Sequence, residues 1–163
     1  MEEDKVAFEF KLTEQEYVAG MRKVSFSSVG MKVFFAILLA LVLFQLISFV
    51  IDGDFSSTSP IVFLFIVAGV LIPYTIVNNA RKLFKSNSRL SENVKYELGE
   101  NGIDMKGETY LSDLPYKWVV KLQETKELLL IVEQKRQALI VPKRVLSEEQ
   151  LITIRKRLTV GKN

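Results

Sequence analysis

The side chains best placed for binding chemistry in this sequence are two basic pairs, Lys135 and Arg136 within "EQKRQ", and Lys143 and Arg144 directly after "ALIV" and Pro142. The first pair lies in a turn and the second at the end of the next strand. Bases in such positions can form charge-assisted hydrogen bonds to the phosphate of an anionic lipid headgroup. The alternative is a solvated face with ion pairs to Glu133 and Glu148. Another basic group, Arg81, Lys82, Lys85 and Arg89, follows a long apolar run. Each base near an anionic membrane surface contributes on the order of 1 kcal/mol of attraction.

Other chemistry is largely excluded. The chain has no Cys and no His, which removes thiol nucleophiles, thiolate or imidazole metal sites, disulfides and the Ser-His triad. Neighbouring acids, such as Glu148 with Glu149 and Glu100 with Asp104, fall in turns or in the first turn of a helix, where the dipole favours an acid without any catalytic role. "GENG" lacks the Lys and Ser/Thr of a phosphate cradle and reads as a hairpin turn. Trp118 heads an apolar strand and is expected in the core. No enzyme activity, metal or cofactor is expected. The net charge is +3, and the bases cluster beside apolar runs, where membrane topology accounts for them. A nucleic-acid partner is therefore not expected.

The elements that must position these residues begin with two apolar runs. "VFFAILLALVLFQLISFVI", residues 33–51, spans roughly 28 Å as a helix, the thickness of a bilayer's hydrocarbon core. "IVFLFIVAGVLIPYTIV", residues 61–77, spans roughly 25 Å and needs its flanks at the interface. Neither run shows the polar stripe of a core helix in a small soluble bundle. A cleaved signal peptide is not expected, because an acidic opening, "MEED", precedes the first run and no small-residue cleavage pattern follows it.

Ser59 and Pro60 form a helix start. Pro73 should bend the second helix, with Thr75 or a neighbouring helix satisfying the freed carbonyl. Ala36, Ala40, Ala68 and Gly69 allow close packing, and Gln45 and Ser48, both uncharged, suit interhelical hydrogen bonds better than an ion path. No Asp, Glu, Lys or Arg lies within either span, which counts against a transporter or an enzyme acting in the membrane.

Arg22, Lys23 and Lys32 precede the first span, and the second basic group follows the second span. The connecting stretch "DGDFSSTSP", Asp52 to Pro60, carries only acids and hydroxyl residues among its polar side chains. The excess of bases on one side puts both termini in the cytoplasm and this bend outside.

The remainder alternates as short strands. "VKYEL" places Val94, Tyr96 and Leu98 on one face, and "IDM" resumes the pattern at Ile103 and Met105 after "GENG". "KWVVKL", "LLLIV" and "ALIVP" follow between polar turns, as in an antiparallel meander that closes into a small barrel or sandwich. "SEEQLITIRKRL" opens with a capping box at Ser147 and Gln150 and lines up Leu151, Ile154 and Leu158 on one helical face that can close the sheet's open end. Near the N-terminus "VAFEFKL" alternates at Phe8, Phe10 and Leu12, and "TEQE" caps a helix carrying Tyr17, Met21 and Val24. A lone strand cannot satisfy its edges, so this one should join the C-terminal sheet.

This order of N-terminal strand, two-span hairpin and β-rich tail ending in "LIVPKRVLSEEQLITIRKRL" resembles the YcxB-like family of small bacterial membrane proteins. The motif-like parts are Val141, Pro142, Lys143 and Arg144 and the acidic helix start after them. The resemblance implies a plasma membrane location and a C-terminal domain similar to pleckstrin-homology folds, and it brings no established activity and no catalytic residue. The expected molecule is thus an α+β membrane protein. Residues 1–32 join the cytoplasmic domain, residues 33–80 form the transmembrane hairpin, and residues 81–163 form a small antiparallel β domain capped by a helix. The expected role is non-catalytic, a regulatory module in the bilayer that binds a protein partner or a second copy of itself. An anionic-lipid-binding module is the alternative.

Overall fold

The computed structural model describes residues 6–52, 60–134 and 137–160. The chain divides into two compact units, one joining the chain up to Gly20 with the chain from Ala80 onward, the other running Met21–Asn79.

The second unit is helical, with all of α2 (Val29–Asp52) and the first part of α3 (Pro60–Ser86). Both helices are long and apolar enough to cross a membrane. Leu39, Phe44, Val50, Phe63 and Leu64 face outward, and a surface this apolar and continuous calls for a lipid or protein environment. Between the helices Phe34 stacks on Phe65 with ring centroids 5.8 Å apart. Gly69 lies against Leu38, whose methyl would be 2.8 Å from an added Cβ. The close approach therefore uses Gly69 opposite a large residue. Pro73 lies inside α3 and frees the carbonyl of Gly69, four residues back. The Thr75 hydroxyl donates instead to the Ile72 carbonyl, at 2.9 Å, because a helical Thr reaches three residues back and not six. The bend expected from residue 52 to residue 60, with its Ser59 cap, falls on positions 53–59 outside the described residues.

The first unit holds two antiparallel sheets. Strands β1 (Val6–Lys11), β2 (Asn93–Leu98), β3 (Gly102–Lys106) and β4 (Leu111–Pro115) form one in the order β1-β2-β3-β4. Strands β5 (Val119–Glu124), β6 (Leu128–Glu133) and β7 (Ala138–Pro142) form the other in the order β5-β6-β7. The N-terminal strand pairs along its whole length with β2, Phe8 opposite Tyr96 and Phe10 opposite Val94. The period-two positions Phe8, Phe10, Val94, Tyr96, Leu98, Ile103 and Met105 are all buried in one core with Leu129, Ile131 and Val141.

Two helices flank the sheets. Helix α1 (Glu14–Ser27) starts with a capping box in which Thr13 N–H donates to Glu16 Oε2 at 2.9 Å and Glu16 N–H donates to Thr13 Oγ1 at 3.2 Å. Helix α4 (Glu148–Val160) starts likewise, with Ser147 N–H donating to Gln150 Oε1 at 2.9 Å and Gln150 N–H to Ser147 Oγ at 3.1 Å. It buries Leu151, Ile154 and Leu158. Arg157 at its far end donates to the Leu98 carbonyl at 2.7 Å. Gln150 donates to the Ala7 carbonyl at 3.2 Å.

Trp118 departs from its expected place in the core: it is 42% exposed, and the neighbouring Val119 is buried in its stead. The pairing of β5 with β6 shifts register between Val119 and Lys121, which leaves Val120 outside the ladder. Trp118 itself ends a short 3-10 turn, Tyr116–Trp118, ahead of β5, so it falls outside the strand alternation that the apolar run implies.

Candidate functional site

Of the two basic pairs, the described structure places one. Lys135 and Arg136 lie outside the described residues. Lys143 Nζ donates to Glu124 Oε2 at 2.9 Å, and Arg155 Nε from α4 donates to Glu124 Oε1 at 2.7 Å. Arg144 Nε donates to Glu16 Oε1 at 2.8 Å, and its Nη2 donates to the Lys11 carbonyl at 3.1 Å. The carboxylates that receive these bases are Glu124 and Glu16, not the expected Glu133 and Glu148. The reason is topological. The β5–β6 hairpin sets Glu124 beside the end of β7, where Lys143 N–H also donates to the Glu127 carbonyl. The capping box at the start of α1 holds Glu16 in reach of Arg144.

These pairs fix the electrostatics. Hydrogen bonds from Arg155 and then Lys143 hold the Glu124 carboxyl down at about 2. Burial works to raise Glu16, and the bonds from Arg144 and Thr13 outweigh it, leaving its pKa below the ordinary value. Because the folded value of Glu124 lies below that of the unfolded chain, its stabilisation is complete above about pH 4.5 and is lost as pH falls toward about 2. Solvent screening at this partly exposed site limits the effect to about 1 kcal/mol. The Glu124→Gln variant is therefore expected to melt below the parent chain at pH 7, with the gap closing as the buffer approaches pH 2. Fluorescence of the single Trp checks this, and a gap independent of pH would contradict the pairing.

The second basic group is dispersed. Arg81 and Lys85 approach Glu14 at 3.9 and 3.7 Å with largely exposed side chains, a geometry that contributes little. Lys82 is exposed. Arg89 stands 5.8 Å over the Tyr110 ring.

Arg89 marks a feature that the sequence did not announce, a cavity of about 390 Å³ walled by Phe10, Tyr17, Tyr96, Met105, Tyr110 and Ile140 among others. It lies at the end of the first sheet where Phe10 pairs with Val94, opposite the end where Val6 pairs with Leu98 and α4 is bonded. Glu92 at its edge is buried, and both of its oxygens are occupied: Thr109 N–H donates at 2.9 Å and Thr109 Oγ1 at 2.6 Å. The Thr109 hydroxyl is the main cause that keeps the Glu92 pKa below its ordinary value. Burial pushes the phenols of Tyr17, Tyr96 and Tyr110 up, Tyr96 farthest. Tyr96 reads in sequence as a plain core position, and Tyr17 and Tyr110 sit in separate segments. No spacing signal joins the three.

Fold and site together define an α+β chain with two helices able to cross a membrane and antiparallel sheets. Residues 98–156, from the end of β2 into α4, match the family model described as YcxB-like protein, and the stretch from Val141 to Arg144 lies inside that match. No curated protein and no solved structure matches the chain.

Proposed function

We propose that this is a two-span plasma membrane protein with both termini in the cytoplasm, whose pleckstrin-homology-like domain is a non-catalytic module that binds another protein or a second copy of the chain. The observation that carries the reading is the outer strand of the second sheet. β5 is paired only on its β6 side among the described residues and presents Val120 to solvent, with Trp118 exposed in the turn just before it. An edge strand offers backbone donors and acceptors to a partner, and exposed aromatic residues are favoured in interface cores.

The sheet order supports the domain reading, with four antiparallel strands, three more and a closing C-terminal helix. The pairing of β1 with β2 supports the topology. The two apolar helices lie between these strands in the chain, and an even number of crossings returns the chain to the side it left. The flanking bases then favour the cytoplasm for that side. Lys143 and Arg144 are engaged by carboxylates, which counts against their use on an anionic headgroup.

Two labels in living cells test the reading. A cysteine at Ser57 should react with a membrane-impermeant maleimide, and one at Lys126 should not. A photocrosslinking residue at Val120 should capture protein, while one at the exposed Lys106 should not. Reaction at Lys126 would invert the topology, and adducts at Val120 with lipid alone would replace the protein partner with a membrane surface.

A further inference from the structure

Tyr96 is 6% exposed and lines the cavity beside Phe10 and Tyr110. Its hydroxyl has no hydrogen-bond partner among the described residues, and no buried side-chain polar atom among them is left unsatisfied. The hydroxyl therefore keeps some accessible surface, and the cavity is the open space that Tyr96 lines. Tyr17, also 6% exposed, is in the same position. Two phenols thus carry hydrogen-bonding capacity into a space otherwise bounded mainly by apolar side chains. Left unmet, each would forfeit a bond that water supplies in the unfolded chain. Cavities with apolar walls and a few convergent polar groups are the usual form of small-molecule sites, and about 390 Å³ falls in the usual range of roughly 300–1,000 Å³.

The charges at the rim restrict the ligand. The ionisable side chains of the described lining, apart from the tyrosines, are Arg89, Glu92 and Glu133, and the two carboxylates of that set disfavour an anion. Glu92 is occupied by Thr109, and the Arg89 guanidinium stands over Tyr110. An incoming ammonium would meet that guanidinium without a free carboxylate of Glu92 to receive it.

We propose that this cavity binds an uncharged, largely apolar small molecule whose hydroxyl or carbonyl group bonds to Tyr96 and Tyr17. A linear ten-carbon alcohol has this chemistry and serves as the probe.

The test uses the full chain in nanodiscs of phosphatidylcholine, exposed to diazirine-bearing 1-decanol, decanoate or decylamine, with labelled peptides identified by mass spectrometry. The alcohol should label peptides containing Tyr96, Met105 or Ile140, and unlabelled 1-decanol should compete. Tyr96→Phe keeps the ring and should weaken competition about threefold to tenfold, the worth of one neutral hydrogen bond. Ala138→Phe, which fills the cavity, should abolish the labelling. Should Ala138→Phe fail to fold, Tyr96→Phe decides alone. Labelling confined to α2 and α3, equal labelling of the sheet peptides by the charged probes, or unchanged competition in Tyr96→Phe would overturn the proposal.

Discussion

Replacing Phe8 and Phe10 together with alanine is expected to unfold the sheet unit, although the strand that carries them is separated from its partner by the whole helical hairpin. Both rings are buried and meet Tyr96, with centroids 5.6 and 5.2 Å away. Truncating a buried Phe costs about 3–5 kcal/mol, and aromatic pairs add about 0.5–1.5 kcal/mol beyond area. Two such losses approach the about 5–15 kcal/mol that holds a typical domain. The loss should appear as protease sensitivity across residues 93–160 and a shifted Trp118 emission, with the chain still inserted in nanodiscs. Lys11→Ala, on the exposed side of the same strand, should stay within about 0.5 kcal/mol of the parent. Parent-like stability of the double variant would mean that β1 is dispensable to the sheet, and the argument from its pairing to an even number of crossings would go with it.

Several features were legible because they depend on local pattern. Two apolar runs of bilayer length become helices of that length. Alternation at Phe8, Phe10, Val94, Tyr96 and Leu98 becomes a buried face, since period two is the period of a strand. The Thr13 and Ser147 boxes close as their spacing requires. What was not legible depends on residues distant in sequence or on a single irregularity. Lys143 finds Glu124 at a separation of 19 residues and Arg144 finds Glu16 at 128, and the charge pattern around Glu133 and Glu148 gave no hint of either. Trp118 ends a turn before β5 and the bulge at Val120 interrupts the alternation after it, and no residue type there announces either. The cavity is assembled by α1, β2 and the approach to β4, so its tyrosines meet only once the sheets have formed.

The second large effect concerns backbone against backbone. Gly102 begins β3 opposite Pro115, and a Cβ built there would sit 2.6 Å from the Leu114 carbonyl oxygen and 3.1 Å from Pro115 Cα. Neither atom can move without disturbing the β3–β4 ladder, whose next pair, Ile103 with Leu114, is buried. Gly102→Ala should therefore cost about 1–3 kcal/mol, the range for overpacking a close contact, and Gly102→Val more. Gly20 offers the internal comparison. A Cβ there would lie equally close, 2.6 Å, to the Cδ1 of Ile140, with Cγ1 at 2.9 Å and Cγ2 at 3.1 Å, yet all three atoms belong to a side chain, which can turn about χ1 where backbone cannot. Gly20→Ala also gains helix propensity of about 1 kcal/mol within α1, which offsets much of the crowding. Thermal unfolding of the two variants should separate them, with Gly102→Ala clearly destabilised and Gly20→Ala near the parent. Equal losses would show that Ile140 is as rigid as backbone, in which case the cavity wall it forms is fixed before any ligand arrives.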